Sequence, residues 1–146
     1  MNRDKFLEMA AAHNKMKKQQ FELLKEYTLE HCDLMDEDGY PTAACLKLIE
    51  EWHWDDITGW FEFIHKQWYY AEWGWSSQVT AHRWKENEFI TEYRISTAGW
   101  SGNEAIIRAM EKNDTLWHMT WYQSRRGGHY IFEVAKEDED ESIDNG

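Results

Sequence analysis

At 146 residues the chain is long enough for one domain with a real core and too short for two ordinary ones. Hydrophobic residues make up 42 % and aromatics 16 %, which excludes global disorder, while a net charge of −12 excludes a generally basic surface for direct nucleic-acid binding. Two cysteines, Cys32 and Cys45, exclude a disulfide framework, and no apolar run approaches the about 20 residues that span a bilayer.

Residues 4–31 read as one long helix. Phe6, Met9, His13, Met16, Gln20, Leu23 and Tyr27 recur at alternating intervals of three and four, the spacing of a coiled coil. Phe21 and Leu24 widen the stripe, so two readings stand: the helix packs on its own domain, or it pairs with another copy through a seam in which His13 and Gln20 set register. Acids from Asp33 to Asp38 and the turn Gly39-Tyr40-Pro41 end it. Thr42 caps a second predicted helix over 43–52, with Leu46 and Ile49 inward. A third, over 56–70, places Ile57, Trp60, Phe61, Ile64 and Trp68 on one face, although Gly59 weakens it by about 1 kcal/mol relative to alanine.

After Gly74 the period changes to two. Residues 78–84 and 88–97 are predicted strands joined by a turn at Lys85-Glu86-Asn87. Ser101 to Lys112 returns to helical spacing, and Ser101-Gly102-Asn103-Glu104 fits a capping box. Residues 115–123 and 130–134 are predicted strands joined by Ser124-Arg125-Arg126-Gly127-Gly128-His129. The fold class expected is therefore α+β, with N-terminal helices followed by a small mixed sheet in the order β-β-α-β-β. Residues 1–135 form the single domain and 136–146 an acidic, disordered tail.

The charge is unevenly spread. Residues 136–146 carry six acids and one lysine, whereas 94–129 carry five basic and three acidic residues. If the strands flanking the helix at 101–112 run parallel in one sheet, two loops meet at one end of it: Ser96 to Ser101, and Ser124 to His129. A helix N-terminus, free backbone N–H groups and cations then converge, a combination that suits an anion. In this reading Arg125 and Arg126 neutralise phosphate, and Ser96, Thr97, Ser101 and Asn103 orient it. Gly99 lets the ligand approach the backbone, Trp100 stacks on a flat ring, and Tyr130 or Trp121 forms a second wall. His129 is the one general acid or base within reach. Arg94 is set aside, because strand alternation points it to the opposite face from Tyr93 and Ile95.

Nothing in the sequence forms a catalytic set. His53, Asp55 and Asp56 lack a second metal-ligand motif, and no metal or cofactor is expected. The loop at 96–104 matches neither a Walker A motif nor the dinucleotide-binding glycine fingerprint. Met1-Asn2-Arg3-Asp4-Lys5 has no leader pattern, so a cytoplasmic location, without a membrane partner, is expected.

The stretches Gly99-Trp100-Ser101-Gly102-Asn103-Glu104 and Arg125-Arg126-Gly127-Gly128-His129-Tyr130 resemble a group of small bacteriophage proteins of unassigned activity that pair such a loop with such a turn. The resemblance covers roughly residues 75–134. It implies a phage context, in which small, commonly oligomeric proteins sequester nucleotide signals made by bacterial immune systems. The leading expectation is thus a homo-oligomeric, nucleotide-binding sponge in the host cytoplasm, holding an anionic, nucleotide-like small molecule. Two alternatives stand beside it: an acidic protein-binding module that mimics nucleic acid toward a host protein, and an enzyme acting on a phosphorylated small molecule.

Overall fold

The computed structural model describes residues 2–136. The acidic tail expected over 136–146 therefore lies, apart from Lys136, outside the described residues. Helix α1 runs Arg3–His31 and begins where the Asn2 side chain accepts the Lys5 N–H. Helix α2 (Ala43–Glu51) starts at the expected cap, with Thr42 Oγ1 accepting from Cys45 N at 3.2 Å. Helix α3 (Ile57–Gln67) is capped by Asp56, whose Oδ1 accepts from Gly59 N at 3.0 Å. Gly59, expected to weaken α3, instead permits this cap: a Cβ there would stand 2.1 Å from Asp56 Oδ2.

Helix α3 ends three residues earlier than expected. Trp68 leaves the helix to donate Nε1 to the Ser96 carbonyl at 3.0 Å, and Tyr70, at φ 61°, turns the chain into the short helix α4 (Ala71–Gly74). Strands β1 (Trp75–Ala81) and β2 (Phe89–Ser96) form an antiparallel hairpin, with Asn87 at φ 63° in the connection. Helices α5 (Ser101–Lys112) and α6 (Asp114–Thr120) follow, then β3 (Trp121–Arg125) and β4 (His129–Ala135).

Two expectations are corrected here. Residues 115–120 are helix, not strand. Asn113 caps α6 by accepting from Leu116 N at 3.2 Å, and its amide donates to the Ile49 and Trp52 carbonyls at 3.1 and 3.0 Å. That buried tether starts the helix, and Leu116 and Thr120, four residues apart and both buried, take its inner face. The sheet is also not mixed. Its order is β1-β2-β4-β3 and every neighbouring pair is antiparallel. Strand β4 folds back from the β3 hairpin and inserts beside β2, so β2 and β3 point the same way without touching. The α+β class holds.

One face of the sheet meets the helices. Trp75, Tyr93, Ile95, Phe132 and Val134 alternate onto it and pack with Phe21, Leu48, Trp60, Ile64, Ile106 and Leu116. Phe61 stacks on Tyr93 with centroids 4.3 Å apart and planes 7° from parallel. Each large buried apolar side chain contributes about 1.5–3 kcal/mol relative to exposure, so this layer dominates stability. The opposite face carries the other parity: Ser76 and Gln78 on β1, Glu92, Arg94 and Ser96 on β2, His129 and Glu133 on β4. Ile90 and Ile131 share that parity and are buried, yet they lie outside the main core cluster. Among the described residues no helix of core-forming length is packed over this second face; the connection after β1 lays Arg83 across it.

Candidate functional site

The two loops expected to meet do meet. Thr97 N donates to the Gly128 carbonyl at 3.0 Å, because β2 and β3 run the same way and deliver their ends to one side. Ala98 (φ 58°) and Gly99 (φ 73°) carry the chain round to α5, and Gly127 and Gly128 (φ 88° and 79°) make the facing turn. A Cβ at Gly128 would stand 2.3 Å from Thr97 Oγ1, so the loops approach closely only because this residue is glycine.

Much of the loop expected to hold a ligand is instead spent on architecture. Trp100 is sandwiched between Tyr40 and Tyr69, with centroids at 4.8 and 4.9 Å and planes 26° and 29° apart. Both ring faces are occupied, so Trp100 offers no stacking platform. Asn103 is 1 % exposed; its Oδ1 accepts Tyr69 N at 2.9 Å, and its amide donates to the Tyr69 and Thr97 carbonyls at 2.8 and 3.3 Å. Thr97 is 2 % exposed, and its Oγ1 faces Gly99 N at 3.4 Å. Ser101 does not form the expected capping box. It lies inside the helix, the cap position belongs to Trp100 without a side-chain bond, and Ser101 Oγ donates to Tyr40 Oη at 3.2 Å. The cause is common to all four: the 40, 69 and 97 segments converge on this loop, a tertiary arrangement that local spacing does not encode.

The cavity lies on the other side of the same junction, on the open face of the sheet. Its volume is about 410 Å³, and Trp73, Ser76, Arg94, Ser96, Arg125 and His129 supply the side chains that shape it. Strand register explains the convergence. Ser76, Arg94 and Ile131 are cross-strand partners in one row; Ser96, His129 and Arg125 are partners in the next. Rows two residues apart stand about 7 Å from one another along the strands, and β2 and β3 are about 10 Å apart across β4. Arg94 and Arg125 thus flank His129 at a separation that long side chains can close around one small ligand.

Among the expected site residues, Ser96, Arg125 and His129 line this cavity. Gly99 and Arg126 do not, and Arg126 sits at the exposed hairpin turn. Sequence reasoning set Arg94 aside and passed over Trp73 and Ser76. The signal that finds them is parity: Ser76, Arg94 and Ser96 alternate with the core residues Trp75 and Ile95.

Arg94 is held from behind. Its Nε donates to Glu92 Oε1 at 2.8 Å, which orients the guanidinium while leaving its terminal nitrogens for other partners. Glu92 is 5 % exposed and also accepts from Gln78 Nε2 at 3.2 Å, with Arg83 Nη2 at 3.7 Å. The Arg94 hydrogen bond, against the opposing effect of burial, holds the Glu92 carboxyl below its ordinary range. Arg83 pairs with Glu133 at 2.5 Å and lies 4.0 Å over the Tyr122 ring, extending the network away from the cavity. Arg125 has a long contact, 3.4 Å, from Nη2 to Gln123 Oε1. No aspartate or glutamate lines the cavity among the described residues, so its walls are cationic in a chain of net charge −12.

The His53, Asp55 and Asp56 group does structural work. His53 Nδ1 lies 2.7 Å from Asp55 Oδ1 and its Nε2 3.2 Å from Asn14 Oδ1, while Asp55 pairs with Lys18 at 2.6 Å, so this cluster fastens α1 to the body. Asp56 is the α3 cap. Burial pushes the Cys45 thiol up to about 12, which removes it as a nucleophile near neutrality. No helix among the described residues is long and apolar enough to cross a membrane.

Comparison of the chain with protein-family models, with curated proteins and with solved structures gave no match. The functional reading therefore rests on the geometry of the cavity.

Proposed function

We propose that the chain binds and holds a phosphate-bearing, nucleotide-like small molecule in the open-face cavity, without turnover. The observation that carries this reading is the convergence of Arg94, Arg125 and His129 around about 410 Å³ with no acidic wall among the described residues. Small-molecule sites commonly occupy about 300–1,000 Å³, so the volume suits a mononucleotide or a compact dinucleotide. Arg94 and Arg125 bind phosphate oxygens with planar, paired donors; Ser76 and Ser96 add hydroxyls. Trp73, 64 % exposed at the rim, stacks on Tyr70 alone, with centroids 5.6 Å apart, and so keeps an indole face for a ligand where Trp100, held between two tyrosines, does not.

In a phage context, such a protein removes a nucleotide alarm signal from the host cytoplasm. Sequestration requires affinity without chemistry, and among the described residues the His129 imidazole makes no hydrogen bond to the Ser76 or Ser96 hydroxyl that would activate it as a nucleophile. The test is native mass spectrometry of the protein purified from bacteria with an active nucleotide-signalling defence, followed by denaturation and analysis of what is released. An intact phosphorylated compound, lost in an Arg125→Ala variant of unchanged melting temperature, is the expected result. A chemically altered nucleotide moves the reading to an enzyme using His129. Release of nothing, together with no binding of a nucleotide panel, overturns it.

The net charge of −12 favours a second reading, an acidic module that docks on a basic host protein in place of nucleic acid. Removing residues 137–146 separates the two: docking by mimicry weakens, whereas cavity binding persists.

A further inference from the structure

Helix α1 has two faces with different fates. The inner face is satisfied by the body of its own chain. Phe21 and Thr28 are 4 % and 2 % exposed, Leu24 packs against the core, and Lys25 Nζ lies 4.8 Å from the Trp52 ring centroid. The outer face is the apolar one: Phe6, Met9, Met16, Leu23 and Tyr27 are between 45 % and 69 % exposed. With His13 and Gln20, also exposed, these residues form the three-and-four stripe across three heptads. An amphipathic helix ordinarily turns its apolar stripe toward its domain. Here the stripe with coiled-coil spacing points to solvent while a different face holds the body.

The free end of the helix points the same way. Every residue from Arg3 to His13 is exposed, and Asn14 is the first to touch the body, through His53 and Trp54. About 16 Å of helix thus projects beyond the domain. These three turns gain nothing from tertiary packing in the single chain, so a partner helix seated on their apolar stripe adds stability that the body does not supply.

We infer that the partner is a second copy of this chain, paired through α1 as a parallel, in-register, two-stranded coiled coil. A 3.5-residue repeat is the pattern that keeps one seam facing another helix. The polar positions select the parallel orientation. In register, Gln20 meets Gln20, whose amides both donate and accept, and His13 meets His13. The antiparallel arrangement sets Gln20 against Met16 and His13 against Leu23, leaving polar groups on apolar neighbours, and it brings Lys17 against its own counterpart. In the parallel pair the flanks oppose no like charges, and Glu26 faces His31. The core-packed face, centred on Phe21 and Thr28, lies to the side and back of the seam, so both bodies are carried clear of the interface.

Sedimentation of the full chain tests this. The expected mass is twice the 17.7 kDa of one chain, falling to a single chain in Met16→Glu, Leu23→Glu, with far-UV circular dichroism lowered only by the projecting turns. In a Cys32→Ser background, Leu23→Cys is expected to form an interchain disulfide to near completion under mild oxidation. A wild-type monomer at every soluble concentration overturns the inference. So does a dimer indifferent to the two glutamates, which places the interface elsewhere. A dimer in which Leu23→Cys crosslinks only to a His13→Cys copy overturns the parallel orientation.

Discussion

Thr97 and Gly128 are joined backbone to backbone, N–H to carbonyl at 3.0 Å, and the glycine has no room for a side chain because Thr97 Oγ1 occupies it. This bond ties the end of β2 to the turn between β3 and β4. It therefore fixes Ser96, Arg125 and His129 relative to one another before any ligand arrives, which limits the ordering cost of binding.

Gly128→Ala is expected to destabilise the protein by about 2–3 kcal/mol, combining left-handed backbone strain with the clash at Thr97. Gly99→Ala serves as the control. It meets the same kind of strain at φ 73° but open space, and is expected to cost about 1 kcal/mol. Urea denaturation of the two variants checks the contrast; equal losses would remove the clash from the account.

Two tryptophans near the junction separate architecture from ligand contact. Trp100→Ala empties the stack between Tyr40 and Tyr69 and is expected to cost about 3 kcal/mol or more of stability. Trp73→Ala removes an exposed ring and is expected to shift stability by less than about 0.5 kcal/mol while weakening nucleotide affinity about tenfold. Thermal melts and calorimetric titration read both quantities on each variant.

Adjacent arginines are expected to differ. Arg125→Ala loses a cavity-lining cation and should weaken binding by tenfold or more, whereas Arg126→Ala should leave affinity within about twofold. Titration with the compound released from the purified protein decides it, and equal effects would place the ligand at the hairpin tip.

The Glu92 carboxyl imposes a pH dependence. Its folded pKa is lowered from the ordinary 4.5, first by the Arg94 hydrogen bond, so its stabilisation is fully present above that value and is lost as pH falls through the folded one. Glu92→Gln is accordingly expected to be less stable than wild type at pH 7, with the gap closing as the pH drops below 4.5 and through the lower folded value. A residual slope in the variant comes from Asp55, which burial pushes up but hydrogen bonds from Lys18 and His53 hold down more strongly. Equilibrium unfolding at a series of pH values reads the gap directly; a gap that does not narrow as the solution is acidified contradicts the assignment.

The elements most legible in the sequence were those with local causes. The α1 stripe, the Thr42 cap and the period change after Gly74 each follow from contacts within a few residues, so spacing alone foretells them. The meeting of two loops also followed from sequence, through the common direction of the strands flanking the helix, although β4 stands between them. What spacing did not contain was the competition for each side chain. Asn113 reaches carbonyls more than 60 residues away and starts a helix where a strand was expected. Tyr40 and Tyr69 close on Trp100 from distant segments, turning an expected ligand platform into a wedge. Strand β4 inserts between β2 and β3, so Arg94, His129 and Arg125 share the face away from the core. Sequence periodicity determined which residues lie on the same side of each element; only tertiary packing decided which of those sides is buried and which is left free to bind, because that choice is made by partners far away in the chain.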